Sequence, residues 1–394
     1  MKTRYAYIDW VIPQTDVQVR MGLQPYALPG FVANSPILGN PVDGAGITLS
    51  TQFTENVGAT FFWMRAENTD NLNHDALDII GLTVPVAFDG VKVTPWAMGA
   101  FVGKNSLATW GDEYDEWGHL IGKDWQNPTG DQYRLASGLL PAWGAIPNDW
   151  FVNMTESDDD GGEVWWLGFT GELTLFDPIR IAWDAAYGSA DFGSFSGFDI
   201  KRAGWYVAGL AQYKMDFVTP GLMLFYASGD DDNPNDGSEQ IPTIDSGWNA
   251  SSFGFDGSEY GASSHDKIAD TIAGLWGIQL RFDDISYMED LKHDLRVAYY
   301  TGTNDHALVK NYGGFLPLAG ASAAAPLKTG QGLYLTDKDH AFEVNFDTDY
   351  MIYKDLKLTV ELGYINLDLD SSVWEDNNLD KNAYKAGAYL TYNF

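Results

Sequence analysis

The stretch AFEVNFDTDYMIY, residues 341–353, decides the fold. Phe342, Val344, Phe346, Thr348, Tyr350 and Ile352 fall on one side of an extended chain, and Glu343, Asn345, Asp347 and Asp349 fall on the other. A period of two is the signature of a strand whose faces meet different surroundings. Here one face is greasy and the other ionised, so the polar face cannot be a packed core. After a Lys354-Asp355 turn the pattern repeats, with Leu356, Leu358, Val360, Leu362 and Tyr364 opposite Lys357, Thr359 and Glu361.

Working outward, the same alternation recurs in Ile179, Ile181, Trp183, Ala185 and Tyr187 against Arg180 and Asp184. It recurs again in Trp276, Ile278, Leu280 and Phe282 against Gln279 and Arg281. Such segments cover about 4–12, 16–24, 44–53, 58–66, 76–88, 90–102, 163–176, 178–188, 203–216, 221–229, 270–282, 293–302, 340–353, 356–367 and 382–394, about fifteen in all. Their connections alternate: short at 13–15, 54–57, 89, 177, 218–220, 283–292 and 354–355, and long elsewhere. The strands running into the short turns end in Trp10, Phe53, Phe88, Phe176, Phe217, Phe282 and Tyr353, and the last strand ends in Phe394. Short turns, long loops, alternating strands and aromatic girdles predict an all-β chain. The expected fold is an antiparallel transmembrane β-barrel with periplasmic turns and extracellular loops. A soluble β-sandwich also alternates, but strands this long, with charged faces and no second hydrophobic layer, argue against it.

Composition agrees. Aromatics reach 14% and glycines number 42, the balance of a turn-rich β protein. No run approaches the roughly 18 apolar residues of a spanning helix. Cysteine is absent, which excludes disulfides, thiolate metal sites and a cysteine nucleophile. A formal charge of −32 opposes nucleic-acid binding. Residues 1–10 carry no basic-then-apolar leader, and fifteen strands are odd where bacterial barrels are even. Residues 1–394 are therefore expected to be a single barrel domain lacking a leader and one or three strands, so that the complete barrel has 16 or 18.

The closing segment YKAGAYLTYNF, residues 384–394, places Tyr384, Ala386, Ala388, Leu390, Tyr392 and Phe394 on one face. It resembles the C-terminal signal of outer-membrane proteins that the barrel-assembly machinery recognises, with Leu390, Tyr392 and Phe394 as its anchors. The stretches YIDWVIPQTDVQVRMG (7–22), GWYVAGLAQYK (204–214) and VTPGLMLFYASGDDDN (218–233) resemble the homotrimeric outer-membrane porins of sulfate-reducing bacteria over nearly the whole chain. The resemblance implies a homotrimer in a Gram-negative outer membrane. Its water-filled channel would pass small hydrophilic solutes and ions by passive diffusion, without a cofactor. A substrate-specific channel for sugars or organic anions, with Trp110, Trp117, Trp125 and Trp143 as a stacking slide, is the alternative.

For such a channel, chemistry lies on the inward faces. The basic candidates are Arg20, Lys92, Arg180, Lys214, Arg281, Arg296, Lys357 and Lys385; the acidic ones are Glu172, Asp184, Glu343, Asp347, Asp349 and Glu361. Charges facing lipid at the midplane cost about 2–4 kcal/mol each, which favours the lumen for all of them. The longest connection, about 103–162, is the candidate constriction loop, with Asp112, Glu113, Asp115 and Glu116 as its acidic rim. The acid runs 158–160 and 230–232 fit no EF-hand spacing. They are expected to be solvated loops that could bridge divalent cations to lipopolysaccharide. His74, His119, His265, His293, His306 and His340 form no nucleophile–base or zinc signature, so no catalytic residue is expected.

Overall fold

A computed structural model describes residues 4–39, 41–67, 76–103, 111–114, 120–124, 138–141, 162–195, 198–258, 269, 271–312, 328–329, 332–374 and 381–393. The strands begin with β1 (Ala6–Val11), β2 (Gln18–Tyr26), β3 (Val42–Gln52), β4 (Gly58–Glu67), β5 (Leu77–Thr83), β6 (Val86–Phe88) and β7 (Val91–Val102). A small hairpin, β8 (Gly111–Tyr114) and β9 (Leu120–Asp124), follows. Next come β10 (Glu163–Phe176), β11 (Ile179–Phe195), β12 (Phe198–Tyr213), β13 (Thr219–Ala227), β14 (Leu275–Met288) and β15 (Leu291–Gly302). The two-residue strands β16 (Lys328–Thr329) and β17 (Gly332–Leu333) pair with each other. The series closes with β18 (His340–Tyr353), β19 (Leu356–Asp368) and β20 (Lys381–Tyr392).

Among the described residues sixteen strands form one antiparallel sheet, in which β1–β5, β7, β10–β15 and β18–β20 neighbour one another in chain order and β6 pairs with β7. The expected all-β fold is borne out, and so is the strand number. The sixteenth strand arises because the expected segment 76–88 splits into β5 and β6. Pro85 lies between them and lacks the N–H a continuous ladder needs. Among the described residues no pairing joins β1 to β20, which are the two ends of the ladder.

Two expectations need correction. The connection 189–202 does not form a long loop, because β11 and β12 stay paired out to Phe195 and Phe198. The small residues Gly188, Ser189, Ala190, Gly193 and Ser194 mimic turn composition, yet Ala190 and Ile200 are buried. The second concerns β14, which continues to Met288 rather than ending at Phe282, and the connection shrinks to Glu289-Asp290. Register shifts on either side of Ile285, with Asp284 at φ 57° and Asp290 at φ 67°, break the alternation that reading by period relies on. Aspartate tolerates this left-handed region better than most side chains, and bulges of this kind hide strand from a period-two template.

The register sorts side chains cleanly. Trp165, Leu167, Phe169, Ile181, Tyr187, Trp205, Val207, Leu224, Tyr226, Trp276, Ile278, Leu280, Tyr299, Phe342 and Phe346 share one face and are exposed there. At the loop end of this face aromatics meet across strands. Trp205 stacks on Tyr226 at 4.9 Å, Trp165 meets Tyr187 at 5.4 Å and Tyr364 meets Tyr384 at 5.2 Å. At the turn end Trp10, Phe53, Phe88, Phe176, Phe217 and Tyr353 are exposed, and Tyr287 takes that place on β14, whose Phe282 lies further along the strand. From Phe342 to Tyr353 the strand advances roughly 36 Å at about 3.3 Å per residue. Tilted by about 40°, that run projects to roughly 28 Å, close to the ~25 Å apolar band of a membrane barrel.

Candidate functional site

The opposite face is divided along the strands. Toward the loop end it carries Met64, Ile79, Met98, Trp166, Tyr206, Phe225 and Tyr300, all buried. Large rings lie flat there because neighbouring strands offer glycine. A Cβ on Gly188 would collide with the Trp166 ring, and one on Gly168 with the Trp96 ring.

Among the described residues, two connections supply much of the cover over this apolar half, with Leu139 and Leu140 beside them. Residues 27–41, leaving β2, contribute Leu28, Val32, Ile37 and Leu38 to the same buried cluster as Ile241, Ile244 and Trp248 of the connection after β13. Backbone bonds join them: Ile244 N–H donates to Ile37 O at 2.9 Å, and Gly39 N–H to Asp245 O at 2.9 Å. Segment 27–41 also reaches β11, six strands along the sheet. Phe31 and Val32 donate their N–H groups to the two oxygens of Asp184 at 2.9 and 2.8 Å, and Arg180 Nη2 donates to Phe31 O at 2.9 Å. Segment 250–258 reaches β14 and β18–β20. Gln279 Nε2 donates to Ala250 O at 3.0 Å, Gly254 N–H donates to Glu343 at 2.9 Å, and Ser252 Oγ bonds Asn345 and Asp347. Lys385 Nζ donates to Ser252 O, and Ser258 Oγ donates to Glu361 at 2.6 Å. Segments rising from one part of the sheet thus bond strands far around it, so the polar face is concave and the two connections lie across it.

Toward the turn end the same face is charged. Glu172 accepts from Lys92 Nζ at 2.9 Å and Arg180 Nε at 2.7 Å. Asp283 faces Arg281 at 3.0 Å and Arg296 at 3.5 Å, while Asp294 faces Arg296 at 3.4 Å. Lys357 meets Asp349 at 3.5 Å, and Lys385 meets Glu361 at 2.6 Å. Arg20 engages Asp9 through Nε and Nη2 at 2.7 and 2.9 Å. Fixed pairs of opposite sign on a concave wall make a transverse field that a passing dipole experiences.

The sequence-chosen residues distribute as follows. Arg20, Lys92, Arg180, Arg281, Arg296, Lys357 and Lys385, with Glu172, Asp184, Glu343, Asp347, Asp349 and Glu361, all share this face by register. Lys214 lies past the end of β12 and is exposed, its N–H donating to Pro178 O at 2.9 Å, which puts it at the turn rim. Asp112 and Glu113 fall on β8, whereas Asp115 and Glu116 lie outside the described residues, as do the tryptophans of the stacking slide. Tyr392 and Leu390 close β20 on the apolar face, each 62% exposed; Phe394 lies outside the described residues. Asp9, Asp283 and Asp294 were missed. Asp9 could have been found by parity with Arg20, its partner across the β1–β2 turn; Asp283 and Asp294 flank the bulged hairpin.

The run 230–232 is not simply a solvated loop. Asp230 is buried, accepting from Ser238 Oγ, Glu239 N–H and Tyr334 Oη, the last at 2.7 Å, and burial raises its pKa. Burial also pushes the Glu239 carboxyl up to about 7, helped by the charges of Asp230, Asp231 and Asp236 and opposed by the N–H of Asp231. Among the described residues, Asp231, Asp236 and Glu239 form one set of groups close enough to share a cation, and Asp305, His306 and Asp337 form another. The run 158–160 lies outside the described residues.

A scan against protein-family models finds no match, and neither does a search of curated proteins. Among solved structures the chain is similar to OccK2 (OpdF) of Pseudomonas aeruginosa in complex with glucuronate. The identity is 13% and the TM-score 0.45, with 96% of this chain and 79% of that chain covered. OccAB3 of Acinetobacter baumannii matches at 13% identity and a TM-score of 0.45, covering 95% of this chain and 74% of that one. OpdL of Pseudomonas aeruginosa matches at 12% and 0.45, covering 96% and 80%. At such values the likeness carries no argument, and the fold rests on the strand pairing of the chain itself.

Proposed function

We propose that the chain is an outer-membrane porin, a water-filled channel for passive diffusion of small hydrophilic solutes and ions. The observation that carries this reading is the inversion of the sheet. Its convex face exposes a continuous field of large hydrophobics from Trp10 to Tyr392, while its concave face holds ion pairs. Soluble monomers rarely expose contiguous apolar patches beyond a few hundred Å², whereas a membrane barrel needs this polarity. The pore wall in this reading comprises the thirteen charged residues above that share the concave face, with Asp9, Asp283 and Asp294. Constriction comes from segments 27–41 and 250–258; the part of 103–162 near Leu140 adds to it by bonding Arg202. By the resemblance of residues 7–22, 204–214 and 218–233 three subunits assemble in the membrane, in contact with lipopolysaccharide, and by that of residues 384–394 the barrel-assembly machinery recognises the chain.

The test is reconstitution of the full chain into planar lipid bilayers. Discrete conductance steps are expected, in integral groups of three for a trimer, together with liposome swelling whose rate falls smoothly with solute size. Protein that inserts with strand-rich circular dichroism yet gives no conductance steps refutes the channel.

A further inference from the structure

A cavity of about 280 Å³ opens on the concave face of β2, β3 and β4. It lies beside the ion-pair ladder, bordered by Pro25 and Ala27 where segment 27–41 leaves the sheet. We infer that it is a subsite for a neutral polyhydroxylated solute of about monosaccharide size. The inference rests on the channel reading only for the route by which the solute arrives.

The first argument is charge. Arg20 is the cation on the wall, and both its Nε and Nη2 are committed to Asp9 in a bidentate pair. The Tyr7 ring covers it at 4.0 Å. A wall already neutralised gains little from an anion, but Nη1, without a partner among the described residues, still donates to a hydroxyl.

The second argument is the supply of hydrogen bonds. Gln24 Nε2 donates to Arg20 O and Gly46 O, and its Oε1 accepts from Thr48 Oγ1 at 3.0 Å. That amide orients the Thr48 hydroxyl, which also neighbours the Tyr26 hydroxyl and keeps acceptor capacity toward the cavity. Ser50 and Thr60 share one bond at 3.1 Å, which leaves a hydroxyl proton and further lone pairs unspent. The side-chain amide of Gln18 has no partner among the described residues and offers both a donor and an acceptor. Mixed donors and acceptors at short intervals match a ligand whose every hydroxyl does both.

The third argument is the apolar wall. Phe62 and Tyr26 meet at 5.4 Å and both line the cavity, and Tyr26 is held by its hydroxyl donating to Trp63 O. Ring faces accept the C–H side of a pyranose while polar groups take its hydroxyls. The cavity lies near the small end of ligand pockets, roughly 300–1,000 Å³, which sets the size class.

Glucose is the neutral probe and gluconate the related anion, applied to the full chain in detergent micelles and in planar bilayers. Saturation-transfer NMR should show glucose protons receiving magnetisation. Glucose should also reduce conductance saturably, each protein being normalised to its own sugar-free conductance. Gln18→Ala removes a side chain with no structural bond to lose, and Thr48→Val keeps the shape. Together they should raise the half-saturating concentration about 10-fold, the loss of one to two neutral hydrogen bonds. Absent glucose transfer, or unchanged saturation in the double variant, overturns the subsite. Displacement of glucose by gluconate at lower concentration overturns its neutral class. Conductance without any glucose effect rejects the subsite and leaves the channel standing; glucose transfer in micelles without conductance does the reverse.

Discussion

Replacing Asp184 with alanine removes both acceptors that hold segment 27–41 to β11. The Asp184 carboxylate is buried and takes the N–H groups of Phe31 and Val32 at 2.9 and 2.8 Å. Hydrogen bonds to a charged group contribute about 1.5–3 kcal/mol each, so the pair contributes roughly 3–6 kcal/mol to closure. Arg180 still holds Phe31 O, and Ile37 and Leu38 still pack on the connection after β13, so the segment loosens at its near end rather than unfolding. Even 3 kcal/mol shifts the ratio of docked to undocked segment by about 100-fold. Single-channel recording of Asp184→Ala should show a higher mean conductance and brief excursions between levels. Asp184→Asn keeps one oxygen acceptor and should lie between the variant and the wild type. Hydrogen exchange at the Phe31 and Val32 amides supplies a readout independent of current. If Asp184→Ala leaves conductance, current noise and both exchange rates as in the wild type, the carboxylate is not the latch and segment 27–41 does not limit the pore.

Three further outcomes follow from the same geometry. Leu224 lies within β13 on the convex face, 50% exposed; Leu224→Arg should lower folding free energy in lipid vesicles by about 2–4 kcal/mol, and equal stability in urea titrations rejects a lipid-facing surface. Gly188→Leu places a side chain where the Trp166 ring lies; overpacking should cost about 1–3 kcal/mol, read as a lower Tm, with the indole fluorescence of Trp166 shifted. The Glu239 carboxyl, raised to about 7 in the folded chain, is protonated there while an unfolded copy is already ionised. The hold of segment 230–240 should therefore weaken as pH rises from about 4.5 through about 7 and level off above. Exchange of the Asp231 amide, which donates to Glu239 at 3.0 Å, should be more protected relative to intrinsic rates at pH 5 than at pH 8; Glu239→Gln should abolish the difference, and a pH-independent wild type refutes the assignment.

Strand identity was legible from end to end where alternation is unbroken. Residues 340–353 and 163–176 coincide with β18 and β10, because each side chain's face follows from counting by two. The same count assigned thirteen of the fourteen pore-wall candidates to one face; Lys214 escaped because the strand ends at Tyr213. Counting failed where the backbone departs from the pleat. At Asp284 and Asp290 positive φ angles hide the far end of β14, so Asp283 and Asp294 went unread as partners of Arg281 and Arg296.

Fold class, the polarity of each face and most of the aromatic strand ends follow from the order of the residues alone. All of these depend on neighbours within a few residues. Which loops cross the concave face emerges with the packed chain, as does the use of Asp184, Glu343 and Asp347 to bind those loops rather than stand free as a filter. Packing also makes the loop-end half of that face apolar, where Trp166, Tyr206 and Phe225 are buried in one cluster with Ile37, Ile244 and Trp248. The reason is separation along the chain. Asp184 and Val32 are 152 residues apart and Glu343 and Gly254 are 89 apart, so no local period links them. Whether an inward carboxylate meets an amide, a guanidinium or water is set by how far the sheet curls and where the loops come to rest.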